Sequence, residues 1–134
     1  MILLDTDVVS HLLRADIRAA LVTRLRQVPV RHRFITAISI GELLYGIERT
    51  GRHEAIRARL ERDFIAQVEV IPFDLEAARA YGRINAQLHR TGQPLSEPDL
   101  RIAATAVCRS LTLITGNDAH FRRVPGLKVE NWLR

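Results

Sequence analysis

The chain has 134 residues, 47% of them hydrophobic and 26% charged, with a formal net charge of +5. That length suits one domain, read over residues 1–134, with an ordinary buried core. No apolar run nears the roughly 18 residues of a membrane span, the start lacks a signal peptide's basic flank and cleavage site, and the single cysteine excludes an internal disulfide, so a reducing cytoplasm is the expected compartment.

Ile2 to Asp5 is a short apolar run ending in an acid, without polar alternation, and reads as a buried parallel strand. Thr6 to Leu13 reads as a helix with Val8, Val9, Leu12 and Leu13 on one side. After a break near Ala15–Asp16, a second helix is expected from Ile17 to Val28, ended by Pro29. Arg33 to Thr36 is a second strand. Ile38 to Arg49 is a helix stopped by Gly51, and Arg52 to Gln67 continues as a charged amphipathic helix with Ile56, Leu60 and Phe64 in one stripe. Val68 to Ile71 is a third strand, closed by Pro72. Asp74 caps a long helix to Arg90, and Thr91-Gly92 ends it. Gln93 to Pro98 reads as a loop. Asp99 to Arg109 is an alanine-rich helix that includes Cys108, Leu111 to Thr115 a fourth strand, Gly116 to Pro125 an irregular segment, and Leu127 to Glu130 a last strand. Strands alternating with helices predict an α/β fold, a three-layer α/β/α arrangement with a short central parallel sheet.

Ligands of open parallel sheets bind at the carboxyl ends of the strands. Asp5 follows strand one, Thr36 follows strand two with Glu42 further into the next helix, Asp99 opens the helix leading to strand four, and Thr115, Asn117 and Asp118 follow that strand. Carboxylates gathered there repel, at about 4 kcal/mol for a pair 4 Å apart with an effective dielectric near 20. No lysine accompanies them, and Arg101 is expected to point away from Asp99. A hard divalent cation, Mg²⁺ or Mn²⁺, best satisfies such an oxygen set, and such ions activate water for attack on a phosphodiester. Each acid also has a plain structural reading. Ser39-Ile40-Gly41-Glu42 matches a capping box, Ser96 to Asp99 has related spacing, and Asp5 could cap the helix starting at Thr6. Joint placement at one sheet edge favours the chemical reading, and a cap that fixes the backbone is compatible with it.

These residues resemble the PIN domain, and specifically the VapC-type toxins, over essentially the whole chain. The resemblance lies in Ile2-Leu3-Leu4-Asp5-Thr6-Asp7-Val8-Val9-Ser10, in Glu42-Leu43-Leu44-Tyr45-Gly46, in Asp99-Leu100-Arg101-Ile102-Ala103-Ala104, in Leu113-Ile114-Thr115-Gly116-Asn117, and in Val124-Pro125-Gly126 through Trp132. It implies catalytic carboxylates at Asp5, Glu42 and Asp99 in a Mg²⁺- or Mn²⁺-dependent endoribonuclease. On this reading Asp5 and Asp99 ligate metal directly, and Glu42 binds it through water or orients the nucleophile. It further implies an RNA substrate, a cognate VapB-like antitoxin covering the active site, and homodimerisation. The chain departs from the pattern in two places. Asp7 stands where many relatives have Asn, and His120 precedes Phe121 where relatives often have an acid. Asp118 is expected to complete the pocket, with Asn117 as a neutral alternative and Glu97 as an outer-shell acid.

Other candidates carry less. The five histidines form no His-x-x-x-His pair, which argues against zinc. Lys128 is the only lysine, and the many arginines suit phosphate contact but also fit genomic bias. Gly46, inside a helix, is expected to serve close helix packing; Tyr45 reads as packing at an interface and Trp132 as a core seal. Two rivals remain. A phosphoacceptor receiver domain would use Asp74 after strand three but lacks a suitable lysine. A PIN-fold binding module would have little nuclease activity. A structured DNA substrate would need a clamping insertion that the chain does not have.

Overall fold

The computed structural model describes residues 1–14, 16–51 and 54–134. Ala15, Arg52 and His53, where the first helix break and the start of the charged helix were expected, lie outside them. Five strands, β1 (Ile2–Leu4), β2 (Arg33–Thr36), β3 (Glu69–Ile71), β4 (Thr112–Ile114) and β5 (Lys128–Glu130), form one parallel sheet in the order β3-β2-β1-β4-β5. Between them run α1 (Thr6–Leu12), α2 (Ala19–Arg26), α3 (Ala37–Thr50), α4 (Glu54–Leu60), α5 (Leu75–Arg90), α6 (Glu97–Cys108) and the short α7 (Asp118–Phe121). Among the described residues, no helix is long and apolar enough to cross a membrane.

The strands are short, yet their alternation divides the core into two. Ile2, Leu4, Ile35 and Ile114 face a cluster built by α1 to α4 and sealed by Trp132. Leu3, Ile71 and Leu113 face the other cluster, built by α5, α6 and Phe121 of α7. Both faces are thus covered, as a parallel sheet requires. The alanines expected to permit close packing do so: Ala103, Ala104 and Ala106 of α6 are fully buried.

Several boundaries differ from the sequence reading because capping side chains set them. Helix α3 starts earlier than expected, at Ala37, because the Thr36 hydroxyl accepts the Ser39 amide at 3.0 Å. Helix α6 starts at Glu97 because Ser96 is its cap, and Pro98 is tolerated in the first turn. Helix α2 is shorter than expected and has no side-chain cap at its start. The charged helix does not stay regular: Glu61–Ile65 widens into a π-turn that keeps both Leu60 and Phe64 buried. Gly51 ends α3 in the left-handed conformation at φ 71°, which suits a glycine C-cap.

Strand β4, beside the central β1, is a good place to test this core. Leu113 is fully buried on the α5–α6 face. Leu113→Ala should cost about 2–5 kcal/mol, read as a lower urea midpoint with an unchanged denaturant slope. A midpoint within error of the parent would contradict the two-cluster core.

Candidate functional site

The sheet order reverses direction between β1 and β4, and a ligand crevice forms at the carboxyl ends beside such a switch point. Asp5 leaves β1 there. Its amide still pairs with the Ile114 carbonyl at 2.9 Å, so the residue is tied to the ladder while its side chain turns out of it. The carboxylate is buried and takes two neutral donors: Oδ1 accepts the Thr6 amide at 2.8 Å and Oδ2 accepts the Thr115 hydroxyl at 2.8 Å. Burial, reinforced by the nearby Asp7 and against these two donors, pushes the Asp5 carboxyl up to about 7.

Three more acids reach the same cleft of about 710 Å³, which Asp5, Asp7, Glu42, Asp99 and Asn117 line at one end. Glu42 is not the second half of a capping box. The Ser39 amide goes to Thr36, and Glu42 Oε1 instead accepts the Thr6 hydroxyl at 2.7 Å. That hydroxyl has one proton, so its 2.9 Å contact with Ser39 runs the other way, and Ser39 in turn lies 3.3 Å from Thr36. A relay from Thr36 through Ser39 and Thr6 therefore ends on Glu42 and fixes its rotamer. Asp99 sits in the first turn of α6, where its amide donates to the Ser96 hydroxyl and its carboxylate lines the cleft. Burial raises the Asp99 carboxyl, with Asp7 adding to the effect and Ser96 and His120 opposing it.

Asp7, the departure that could add negative charge beside the site, does lie in the cleft next to Asp5. Its Oδ2 accepts the Gly116 amide at 2.9 Å. Gly116 permits that approach, since a Cβ there would meet Asp7 Oδ2 at 2.8 Å and the Leu133 side chain at 2.5 Å. Among the described residues, Asp7 Oδ1 alone is a buried side-chain oxygen with no hydrogen-bond partner. The available signal was the i, i+2 spacing of Asp5 and Asp7 across a strand end, where the chain turns back on itself.

Asp118 is placed differently from expectation. It borders a neighbouring cavity with His11, Arg18 and Arg134, and its carboxylate is already engaged. Arg122 Nε at 3.0 Å and Arg134 bind one oxygen, and the Asn131 amide binds the other at 2.8 Å. These partners, Asn131 foremost, hold it below the usual carboxylate range. Of the two alternatives, Asn117 lines the acidic cleft, where its amide nitrogen meets His120 Nδ1 at 2.8 Å. Glu97 does not; Tyr81 and Arg101 hold it on the exposed side of α6.

Among the described residues, no arginine or lysine ion-pairs with Asp5, Asp7, Glu42 or Asp99. Gly46 is not tightly packed either: a Cβ there would meet nothing within 4 Å, so the close-packing expectation is corrected. Tyr45 is two-thirds exposed, with the Arg49 guanidinium 5.7 Å from its ring centre. The receiver alternative fails on topology. Asp74 follows β3, which lies at the sheet edge, and it caps α5 and pairs with Arg109, far from β1 in strand order.

Comparison with known proteins agrees with this geometry. The family model described as PIN domain matches residues 2–127. The chain is 39% identical over 98 residues to the tRNA(fMet)-specific endonuclease VapC of Salmonella typhimurium, covering 73% of this chain and 74% of that protein. It is 30% identical to ribonuclease VapC2 of Haemophilus influenzae, covering 98% and 97%. The solved structure of VapBC2 from Rickettsia felis bound to a promoter DNA fragment superposes with a TM-score of 0.90 at 28% identity, over 98% of this chain and 99% of that one. The match extends over nearly the whole chain in sequence and in fold, and this protein therefore belongs to the PIN-domain family, in its VapC group of ribonucleases.

Proposed function

We propose that the chain is a divalent-metal-dependent endoribonuclease, the toxin of a toxin–antitoxin pair, acting in the cytoplasm as a homodimer that a VapB-like antitoxin holds inactive. The observation that carries the reading is the cluster itself: four acids in one cleft with no arginine or lysine ion-paired to them among the described residues, and one of their oxygens buried and unsatisfied. Named relatives support the ribonuclease and its partner, since VapC proteins of several bacteria are called ribonucleases and VapC folds occur in solved VapBC complexes.

The donor set fits Mg²⁺ or Mn²⁺. Every candidate ligand is a hard oxygen, the ligand type that suits Mg²⁺ and Mn²⁺, and none is a thiolate. Among the described residues, no three acidic, histidine or cysteine side chains are gathered closely enough to cage a metal alone. Mg²⁺ does not require such a cage, because it keeps several waters and is commonly held by one or two carboxylates together with substrate phosphate. Asp5 and Asp99 are the proposed ligands, with Asp7 Oδ1 as an additional oxygen. When bound, the ion would lower the pKa of an attacking water and stabilise charge on the leaving oxygen.

The chain's own residues do the rest. Thr6 and Thr115 aim the two oxygens of Asp5. Glu42, fixed through Thr6, orients the attacking water by accepting a hydrogen bond from it. Asn117 can donate to a phosphate oxygen without adding charge. The end of the cleft is thus arranged to place water and phosphate together, which is the proximity contribution to catalysis.

Asp5→Asn tests the proposal in two directions. Losing a direct ligand should lower RNA cleavage by more than about 100-fold, beyond the loss typical of outer-shell changes, and should abolish Mn²⁺ binding in a calorimetric titration. Cleavage of bulk transfer RNA at the parent rate would refute the reading, and an intact fold with no Mn²⁺ binding by the parent itself would favour a binding module.

The same variant should gain stability when metal is chelated. The folded carboxyl binds its proton up to about pH 7, whereas the unfolded one releases it near its ordinary value of 3.8. Stability of the parent should therefore fall as pH rises through that window, by at most about 1.4 kcal/mol per pH unit from this group, and then level off. Urea titrations in chelator at pH 4.5, 6 and 8 should show Asp5→Asn increasingly more stable than the parent as pH rises. A pH-independent difference would mean that the Asp5 charge costs the fold nothing.

A further inference from the structure

The acids occupy only one end of the cleft. A hydrated ion with six waters needs roughly 180 Å³ at about 30 Å³ per water, well below the 710 Å³ available. The other end is walled by Leu13, by Leu43 and Ile47 of α3, and by Ile56 of α4, with Arg14 and Arg49 also lining it. Gly46 lies in this apolar half, one turn beyond Glu42 on the same side of α3. A glycine inside a helix costs about 1 kcal/mol against alanine, and no protein atom requires it here, because a Cβ would meet only open space. Gly41 and Gly82 are equally uncrowded but lie exposed on the surface, whereas Gly46 borders the cleft. A side chain at position 46 would occupy the cleft.

We propose that this half of the cleft is a nucleobase subsite, taking the base of the nucleotide next to the scissile phosphate. The inference rests on the nuclease reading above. Bare backbone at Gly46 offers a flat floor to a planar ring, and Leu43 and Ile47 flank it. Arg14 and Arg49 supply the positive charge that the neighbouring phosphates need. Four residues, about 6 Å of helix rise, separate Gly46 from Glu42, so a single nucleotide connects the two ends. The walls provide apolar contact and shape rather than hydrogen bonds to base edges, so binding there tolerates different bases. An apolar side chain of a protein partner would also fit the walls, but the arginines and the continuity with the acidic end favour a nucleic acid.

Gly46→Leu fills this half with a good helix former, so α3 is not weakened. With bulk transfer RNA and Mn²⁺, the KM for cleavage should rise at least about tenfold, equivalent to about 1.4 kcal/mol of lost apolar contact, while Mn²⁺ affinity stays within twofold and the thermal midpoint does not fall. Once the cut is mapped, an RNA abasic at the flanking position should lose a similar factor with the parent and little more with Gly46→Leu. A parent-like KM in the variant, or equal cleavage of intact and abasic RNA by the parent, overturns the subsite. So does a variant that cuts RNA normally but no longer binds the antitoxin, which would assign the groove to the protein partner. If the unmodified chain cuts no RNA, the nuclease reading fails first and the subsite with it; failure confined to the variant arms removes the subsite alone.

Discussion

The structure turns on the burial of like charge at one point of the sheet. Asp5 is held by β1 through a ladder hydrogen bond, and its carboxylate is shut away beside Asp7 and in the field of Asp99. The protein answers with neutral donors, an amide and a hydroxyl, rather than with an arginine. Hydrogen bonds to a charged group contribute about 1.5–3 kcal/mol each, whereas desolvating an ion costs several kcal/mol. Burial and the neighbouring Asp7 charge outweigh these donors and push the Asp5 carboxyl above its ordinary range. A chain rich in arginine could have paired these acids, but among the described residues its arginines bond to other groups: to Asp118, to Glu97, to Asp74 and to backbone carbonyls near Leu12.

That cost is borne by the two apolar clusters on either side of the sheet. Strands of three or four residues make few ladder bonds, so their position depends on the side chains they send alternately into each cluster. The hydroxyl relay at the start of α3 shows the same coupling in detail. Thr36 ends β2, caps α3 and begins the chain of contacts that fixes Glu42. One short segment thus sets a strand end, a helix start and the orientation of an acid in the cleft. Conflict between fold stability and a strained functional cluster is a recurrent feature of enzyme sites.

Much of this was legible in the sequence. Unbroken apolar runs marked parallel strands, and 3.6-residue stripes marked the helices that cover them, so the α/β/α layers followed. Asp5 and Asp99 could be assigned to one edge because one follows a strand and the other opens a helix at the carboxyl end of the sheet, and Glu42 because it lies one turn into the helix that follows β2. What was not legible depended on side-chain direction within a turn. Asp118 is only three residues past Thr115, yet α7 turns its carboxylate toward Arg122, Arg134 and Asn131 in the adjoining cavity. Asp7 can accept the Gly116 amide because that glycine, more than a hundred residues away, leaves room for its carboxylate. The capping-box pattern at Ser39–Glu42 misled in the same manner: Thr36 had already taken the amide that the box would use. Pattern matching gives the candidates for a local contact, and only the assembled fold decides among them.

The central claim is that this cleft becomes tolerable when a hard divalent ion joins it. Anomalous diffraction from crystals of the unmodified protein grown with Mn²⁺ addresses that claim most directly. The account predicts a strong manganese peak in coordinating contact with Asp5 and Asp99, its remaining positions filled by water. An empty cleft at saturating Mn²⁺, or an arginine side chain swung in to neutralise the acids instead, would contradict it.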